Sequence, residues 1–234
     1  MEIRTIIKEP SWEAFLLDNQ PSEEFRQYYL KRLKENSDAY WQTLAEAETA
    51  YLLHFKFKIP VLSFSKKTVG EKDVDLIAKL ADDEIFVEVT TSQYKSGKNS
   101  DLQQDAKFIR AIKHASKKFL TTSTNLLVVY DEQLSSQFYD PSFMHDDVPT
   151  TYFNSSSLED ENGKVIDIKK ISGLLLFGQR KLMDLSRDYK LWKNDNAYKP
   201  FYWSLPLSVV EATGLQATTK RGEEAPRLAA RTEK

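Results

Sequence analysis

The pattern of apolar and polar positions divides the chain into a helical first part and a second part rich in strands. Residues 1–56 are predicted to be helical, with breaks at the run EPSWEAF and at Pro21 and Ser22, where Ser22 is a candidate helix cap. A longer helix is predicted in the run SDAYWQTLAEAETAYLLHFKF, with Ser37 as its cap. Pro60 then ends the helical region, and the apolar positions alternate with period two.

Three strands are predicted after this change of period. They are the runs VLSFSKK, VDLIAKLA and EIFVEVTTS, and the last two are joined through Asp82 and Asp83. A connection this short makes the pair an antiparallel hairpin. A helix is predicted from Asp101 to about Leu120, and the apolar runs NLLVVYDE and ISGLLLFGQ are predicted as strands buried on both faces.

The order of these elements predicts an α/β domain with appendages. A helix, three strands, a helix and a strand (α-β-β-β-α-β) indicate a mixed central sheet flanked by helices, since a crossover helix leads to a parallel neighbour. We predict an N-terminal helical extension over residues 1–36, the α/β domain over residues 37–212 and a disordered tail over residues 213–234. Residues 134–163, rich in Pro, Asp, Asn and Ser, are predicted to form an excursion from the domain.

Two acids interrupt the predicted hairpin. Asp75 shares a strand face with Ile77, and Glu88 shares one with Phe86, because side chains alternate along a strand. The hairpin brings the two carboxylates onto neighbouring strands, within reach of one ion, although the sequence does not fix the register. Two adjacent carboxylates repel unless a cation compensates, and a hard divalent ion such as Mg²⁺ takes oxygen ligands of this kind.

The run DVDL around Asp75, followed by VEVT around Glu88, resembles the core motif of the PD-(D/E)XK nuclease superfamily, which has the restriction-endonuclease-like fold. The resemblance implies that Asp75, Glu88 and the backbone carbonyl of Val89 bind Mg²⁺, or Mn²⁺ in its place. It also implies that a glutamate of the first helix of the core completes the site. Glu46 is the preferred candidate and Glu48 the alternative.

One position departs from the pattern of this family. The lysine that the family has two residues after the acid is replaced here by Thr90. The resemblance implies that this lysine orients or activates the attacking water, and some members supply the amine from the following helix instead. Lys107, near the start of that helix, is the first candidate and Lys113 the second, with Lys95 and Lys98 of the preceding loop as further candidates.

The resemblance covers roughly residues 38–130 and implies a function. It points to a metal-dependent phosphodiesterase, endonuclease-like, that hydrolyses DNA at a two-carboxylate Mg²⁺ site, with Asp75, Glu88, Lys107 and Glu46 as catalytic residues. The alternative, which the missing lysine favours, is a catalytically inactive nuclease-fold module that binds nucleic acid or a protein partner. A third interpretation treats the acids as surface residues of an unrelated α/β protein. The sequence leaves open the form of DNA and whether the protein is a homodimer.

The composition of the chain excludes some classes of protein but does not identify its function. Lys and Arg total 33 against 35 for Asp and Glu, a net charge of −2, so any surface that binds nucleic acid must be local. The chain has no cysteine, which excludes a disulfide framework and a thiolate zinc site, and its 3 histidines lack ligand spacing. The first residues lack the apolar run of a signal peptide, and no segment has the composition of a membrane span. We therefore expect a soluble, cytoplasmic protein.

A cluster of aromatic residues and lysines, YKLWKNDNAYKPFYW, occupies residues 189–203. Such a mixture can stack the bases of a single strand. More often it packs on a protein core, and we predict a packed lid over the domain at this position.

Overall fold

The computed structural model describes residues 10–35, 39–67, 73–92, 100–131, 158–160, 162–178, 189–201 and 216–217. Three helices occupy the described first part of the chain: α1 (Pro10–Asp18), α2 (Glu23–Glu35) and α3 (Tyr40–Tyr51), which continues into a π-helical turn over Leu52–Lys56. The break predicted at EPSWEAF is wrong, because α1 begins at Pro10 and runs through this segment; proline is tolerated in the first turn of a helix. The Ser22 hydroxyl accepts a hydrogen bond from the Phe25 amide at 3.4 Å, so Ser22 caps α2 as predicted. Ser37, the predicted cap of the next helix, lies outside the described residues.

Seven strands form a mixed sheet and two form a small hairpin in the described part of the chain. The strands are β1 (Val61–Lys67), β2 (Asp73–Leu80), β3 (Asp83–Ser92), β4 (Thr124–Asp131), β5 (Leu158–Glu159), β6 (Val165–Ile166), β7 (Gly173–Gly178), β8 (Tyr189–Lys193) and β9 (Gln216–Ala217). The order in the sheet is β1-β2-β3-β4-β7-β8-β9, and β5 pairs with β6.

The directions of the strands follow the predicted order of elements. Strands β1, β2 and β3 are antiparallel neighbours, whereas β4 runs parallel to both β3 and β7. Helix α4 (Ser100–Lys118) makes the crossover between the parallel strands β3 and β4. The predicted order of helix, three strands, helix and strand is therefore confirmed, and so is the mixed α/β sheet.

Helices cover the sheet on both faces. On one face α1, α2 and α3 pack through a core that joins Leu16 and Tyr29 to sheet residues such as Val87. On the other face α4 packs through a second core that joins Ile112 to Leu127. Neighbouring residues of β4 enter opposite cores, which explains why the run NLLVVYDE shows no polar alternation. The helices that the sequence suggested as an extension thus share a core with the sheet.

The aromatic cluster contributes a strand of the sheet and not the predicted lid. Its first five residues form β8, which pairs antiparallel with β7, and the Trp192 side chain is buried. The buried Asn194 amide group then donates to the carbonyls of Ile168 and Ile171 at 3.2 and 2.8 Å. Such internal hydrogen bonds satisfy carbonyls that would otherwise lie buried and unpaired. The prediction that the cluster packs on the core is confirmed by buried Trp192 and Phe201, but the lid is wrong, because the first part of the cluster is a strand beside β7.

Two other predicted segments are described only in part. Residues 213–234, the predicted tail, lie outside the described residues except for Gln216–Ala217, which form β9. Of the predicted excursion, the structure describes residues 158–160 and 162–163, which hold β5 and the start of its connection to β6. Among the described helices, none combines the length and the apolar composition that a membrane span requires.

The turn of the β2–β3 hairpin is formed by Ala81 and Asp82, because Leu80 pairs with Asp83. Ala81 has a φ of 54°, in the left-handed region, which costs a residue with a Cβ roughly 1 kcal/mol. We expect Ala81→Gly to raise the free energy of unfolding by about 0.5 kcal/mol, since the flexibility of glycine in the unfolded chain offsets part of the gain. Urea denaturation measures this effect as a higher midpoint, and a lower midpoint would contradict the argument.

Candidate functional site

Asp75 and Glu88 lie across from each other where β2 and β3 separate. The pairing of these strands ends at Leu76 opposite Val87, so the next position on each strand holds one of the two acids. The Val89 amide donates to Asp75 Oδ2 at 2.7 Å, and the Asp75 carboxylate thereby takes the place of a backbone acceptor. The register that the sequence left open therefore sets the two predicted acids opposite each other.

Glu46 approaches this pair from α3, on the side of the sheet that the N-terminal helices cover. Gln42, one turn earlier on α3, donates through Nε2 to the Val89 carbonyl at 2.8 Å and to Glu46 Oε1 at 3.1 Å. The contact with Val89 fixes α3 to β3, and the contact with Glu46 lies within α3 and orients the Glu46 carboxylate. Arg32 of α2 donates to both carboxylate oxygens of Glu46, through Nη1 to Oε2 and through Nη2 to Oε1 at 3.3 Å.

Lys118, the last residue of α4, supplies an amine to the same site. Its Nζ donates to Glu88 Oε1 at 2.5 Å, and Nδ1 of His114 lies 3.3 Å from that oxygen. The other oxygen, Glu88 Oε2, is buried and has no hydrogen-bond partner within the described part of the protein. A buried carboxylate oxygen without a partner is costly, so this atom is a candidate ligand for a cation.

Burial shifts the pKa of all three carboxyl groups upward, and repulsion from Asp75 adds to the shift of the two glutamates. Burial raises the pKa of Glu88 to about 8, and Asp75 adds to this shift while Lys118 opposes it. Burial and then Asp75 raise the pKa of Glu46 to about 7, against the opposing effect of Arg32. Burial also raises the pKa of Asp75, although the Val89 amide lowers it. The three groups therefore interact electrostatically, and a bound cation would favour their ionised forms.

The structure places the predicted lysines in different surroundings. Lys107 lies in α4 about three helical turns before Lys118, and its side chain lies outside what the structure describes. Lys113 pairs with Asp160 at 2.7 Å, which ties α4 to the end of β5. Hydrogen bonds from Lys113 and from two backbone amides lower the pKa of Asp160 to about 2. Lys95 and Lys98 lie outside the described residues.

Four residues of the site were absent from the sequence analysis as site residues: Arg32, Gln42, His114 and Lys118. Gln42, His114 and Lys118 contact strand β3, and Arg32 contacts the neighbouring helix α3. These contacts join elements that are distant along the chain, so local spacing gave no signal for them. Glu48, the alternative to Glu46, is also buried in α3. The charge of Glu46 is one of the causes that raise the pKa of Glu88, which supports Glu46 as the third acid.

The donor set suits a hard divalent ion, with one restriction. Carboxylate oxygens are the ligands that Mg²⁺ and Mn²⁺ prefer, and Glu88 Oε2 is a buried oxygen without a hydrogen-bond partner in the described residues. Yet in the described ranges no group of three or more His, Cys, Asp or Glu side chains is placed to hold a metal ion. The residues therefore fit an ion held by Asp75 and Glu88, while Glu46 remains engaged with Arg32.

Comparisons with protein-family models, with curated proteins and with solved structures found no match to this chain.

Proposed function

We propose that this protein is a metal-dependent phosphodiesterase that hydrolyses DNA in an endonuclease-like manner. The observation that carries the proposal is the pair of acids, Asp75 and Glu88, which lie opposite each other on neighbouring strands. Glu88 Oε2 is buried and has no hydrogen-bond partner among the described residues, and Glu88 Oε1 accepts from the Lys118 amine. The order α3-β1-β2-β3-α4-β4 supports a restriction-endonuclease-like core. The resemblance of the DVDL and VEVT runs implies a metal site at these two acids.

Asp75 and Glu88 would hold Mg²⁺ or Mn²⁺ through Asp75 Oδ1 or Oδ2 and Glu88 Oε2. When bound, such an ion lowers the pKa of a water molecule and offsets charge on the scissile phosphate. The strands fix the distance between the ligands, because Asp75 is held by the Val89 amide. Gln42 holds the Val89 carbonyl, so this backbone group stays in one orientation beside the acids.

Lys118 is the described amine that reaches the acids, and we assign to it the role that the resemblance implies for the family's lysine. Its Nζ is bound to Glu88 Oε1, which leaves Lys118 positioned to orient a water molecule or to hold a phosphate oxygen beside the acids. Thr90 stands at the family's usual position on β3, so the amine would reach the site from α4. The predicted role of Lys107 stays a prediction.

A second function is favoured by the ion pairs of the site. Arg32 pairs with Glu46 and Lys118 with Glu88, so the protein supplies its own counter-charges to two of the three acids. With Thr90 in place of the lysine, this arrangement also suits a catalytically inactive module that binds nucleic acid or a protein partner. Cleavage distinguishes the two functions.

The test is incubation of the purified protein with supercoiled and linear DNA in Mg²⁺, in Mn²⁺ and in EDTA. We expect cutting that depends on the metal, and a loss of roughly 10²-fold in Lys118→Met, the range typical for removal of a group that moves or positions a proton. Lys117→Met is the matched control, because Lys117 is the exposed neighbour on the same helix. Absence of cutting in either metal would favour the inactive module.

A further inference from the structure

Arg32 places a permanent positive charge inside the acidic site. Its guanidinium donates to both oxygens of Glu46, and Glu46 is almost fully buried. Such a forked pair is the strong geometry for arginine and carboxylate, and a guanidinium stays charged at every physiological pH. The Glu46 side of the site is thus occupied by a cation that belongs to the chain itself.

Contacts other than Glu46 also hold the guanidinium in place. Arg32 Nη1 donates to the Tyr28 hydroxyl at 3.0 Å, and the guanidinium carbon lies 5.3 Å from the centre of the Tyr28 ring. That ring stacks on Phe64 of β1 at 3.9 Å between ring centres. The position of Arg32 is therefore set by α2 and β1 together, and cation–π attraction lowers the cost of keeping the charge partly buried.

The two glutamates of the site differ in how completely their oxygens are satisfied. Glu46 Oε1 accepts from Gln42 and Arg32, and Glu46 Oε2 accepts from Arg32. Glu88 has donors on Oε1 only, and its buried Oε2 has none in the described part of the chain. An ion at Glu46 would have to displace two forked hydrogen bonds, whereas an ion at Glu88 Oε2 would displace none.

We propose that Arg32 acts as an internal cation that occupies both oxygens of Glu46 and keeps this carboxylate from binding metal. The site then binds a single divalent ion, at Asp75 and Glu88. The inference rests on the proposed metal site, and it concerns the number of ions that the site accepts. Arg32 acts here as a positioning residue, because it determines which carboxylates are open to metal. Removing it would open Glu46, beside Asp75, to a second ion.

The test counts bound Mn²⁺ by electron paramagnetic resonance, in which free Mn²⁺ gives the signal and bound Mn²⁺ loses it. We expect about one ion per chain for the wild type and about two for Arg32→Gln, since Glu46 and Asp75 then offer oxygen ligands to a second ion. The matched control is Arg26→Gln, another arginine of α2, which pairs with Asp18 and Glu23 away from the acids. It should bind about one ion.

Two further variants keep the test decisive. Arg32→Gln/Glu46→Gln should return to about one ion, because the second ion needs the Glu46 carboxylate. If Arg32→Gln does not fold, the same count is made on Arg32→Lys. An ammonium cannot make the forked pair with Glu46, so we expect a second Mn²⁺ ion to displace it at higher Mn²⁺ concentration.

The outcomes separate this inference from the proposed function. One ion in the wild type and one ion of equal affinity in folded Arg32→Gln, or in Arg32→Lys, would overturn the role of Arg32 and leave the proposed function standing. No ion in either protein would overturn both.

Discussion

Replacing Glu88 by glutamine is expected to reduce metal-dependent DNA cleavage by roughly 10³-fold. A bound ion supplies several kcal/mol of transition-state stabilisation, and each ~1.4 kcal/mol corresponds to a factor of ten in rate. Glutamine keeps the shape of Glu88 but lacks the charge that would attract the ion to Oε2, the oxygen without a hydrogen-bond partner among the described residues. Initial rates of plasmid nicking at fixed Mg²⁺ concentration measure the effect.

The control for this variant is Glu84→Gln, an exposed glutamate on the same strand, opposite Lys79 at the other end of the hairpin. It should cut as the wild type does. A glutamine at position 88 is neutral, as Glu88 is when its carboxyl is protonated, so we expect the variant to fold and its loss of cutting to reflect chemistry. Equal rates for the two variants would exclude Glu88 as a metal ligand.

The free energy of unfolding of the metal-free protein is expected to fall as the pH rises from about 6.5 to about 8. Burial raises the pKa of Glu88 to about 8 and that of Glu46 to about 7, from an ordinary value near 4.5. Between these values the folded protein holds a proton that the unfolded chain has released. Raising the pH therefore costs stability, by up to about 1.4 kcal/mol per pH unit for each such group.

The window above pH 6.5 isolates the carboxyl groups. Burial lowers the pKa of His54 and His114, and these shifts contribute to the pH dependence only below the unfolded histidine value of about 6.5. The lowered pKa of Asp160 acts only at acidic pH, since its contribution is lost as the pH falls from about 4 to about 2. Neither effect opposes the slope that the two glutamates produce.

Urea denaturation at pH 6.5, 7.5 and 8.5 measures this slope. Glu88→Gln should show a shallower slope and a higher stability than the wild type at pH 8.5, because the variant has no carboxyl to ionise there. Saturating Mg²⁺ should reduce the slope of the wild type, since the ion favours the ionised acids. A stability that is flat or rising across this range in the metal-free wild type would contradict the pKa shifts.

Local patterns were sufficient for the elements of the core but not for the contacts between them. The alternation of VDLIAKLA and EIFVEVTTS and their short connection identified the hairpin, and the two acids were found because charges are unusual on such strands. The register was left open, because alternation alone does not fix it, and the turn was predicted at Asp82 and Asp83, one residue from its observed position at Ala81 and Asp82. Fixing the turn is what sets Asp75 opposite Glu88.

The basic residues of the site could not be found from spacing. Lys118 lies 30 residues from Glu88 along the chain, and Arg32 lies 14 residues from Glu46. Lys118 meets Glu88 because α4 packs on one face of the sheet, and Arg32 meets Glu46 because α2 packs on α3 at the other face. The local pattern of apolar residues does not predict either packing. Lys107 and Lys113 were chosen because they lie nearer the start of the helix, but Lys113 turns to Asp160.

Because α2 shares a hydrophobic core with the sheet, the packing of this helix affects both the stability of the protein and the ionisation of its buried acids. Tyr29 is fully buried among residues of the sheet, and Arg32, one turn further along the same helix, holds Glu46. A substitution that loosens the packing of α2 would therefore alter the acids without touching them. Mutations far from the site in the fold are then expected to change the ionisation of these acids, and with it the proposed metal binding, as well as the stability of the protein.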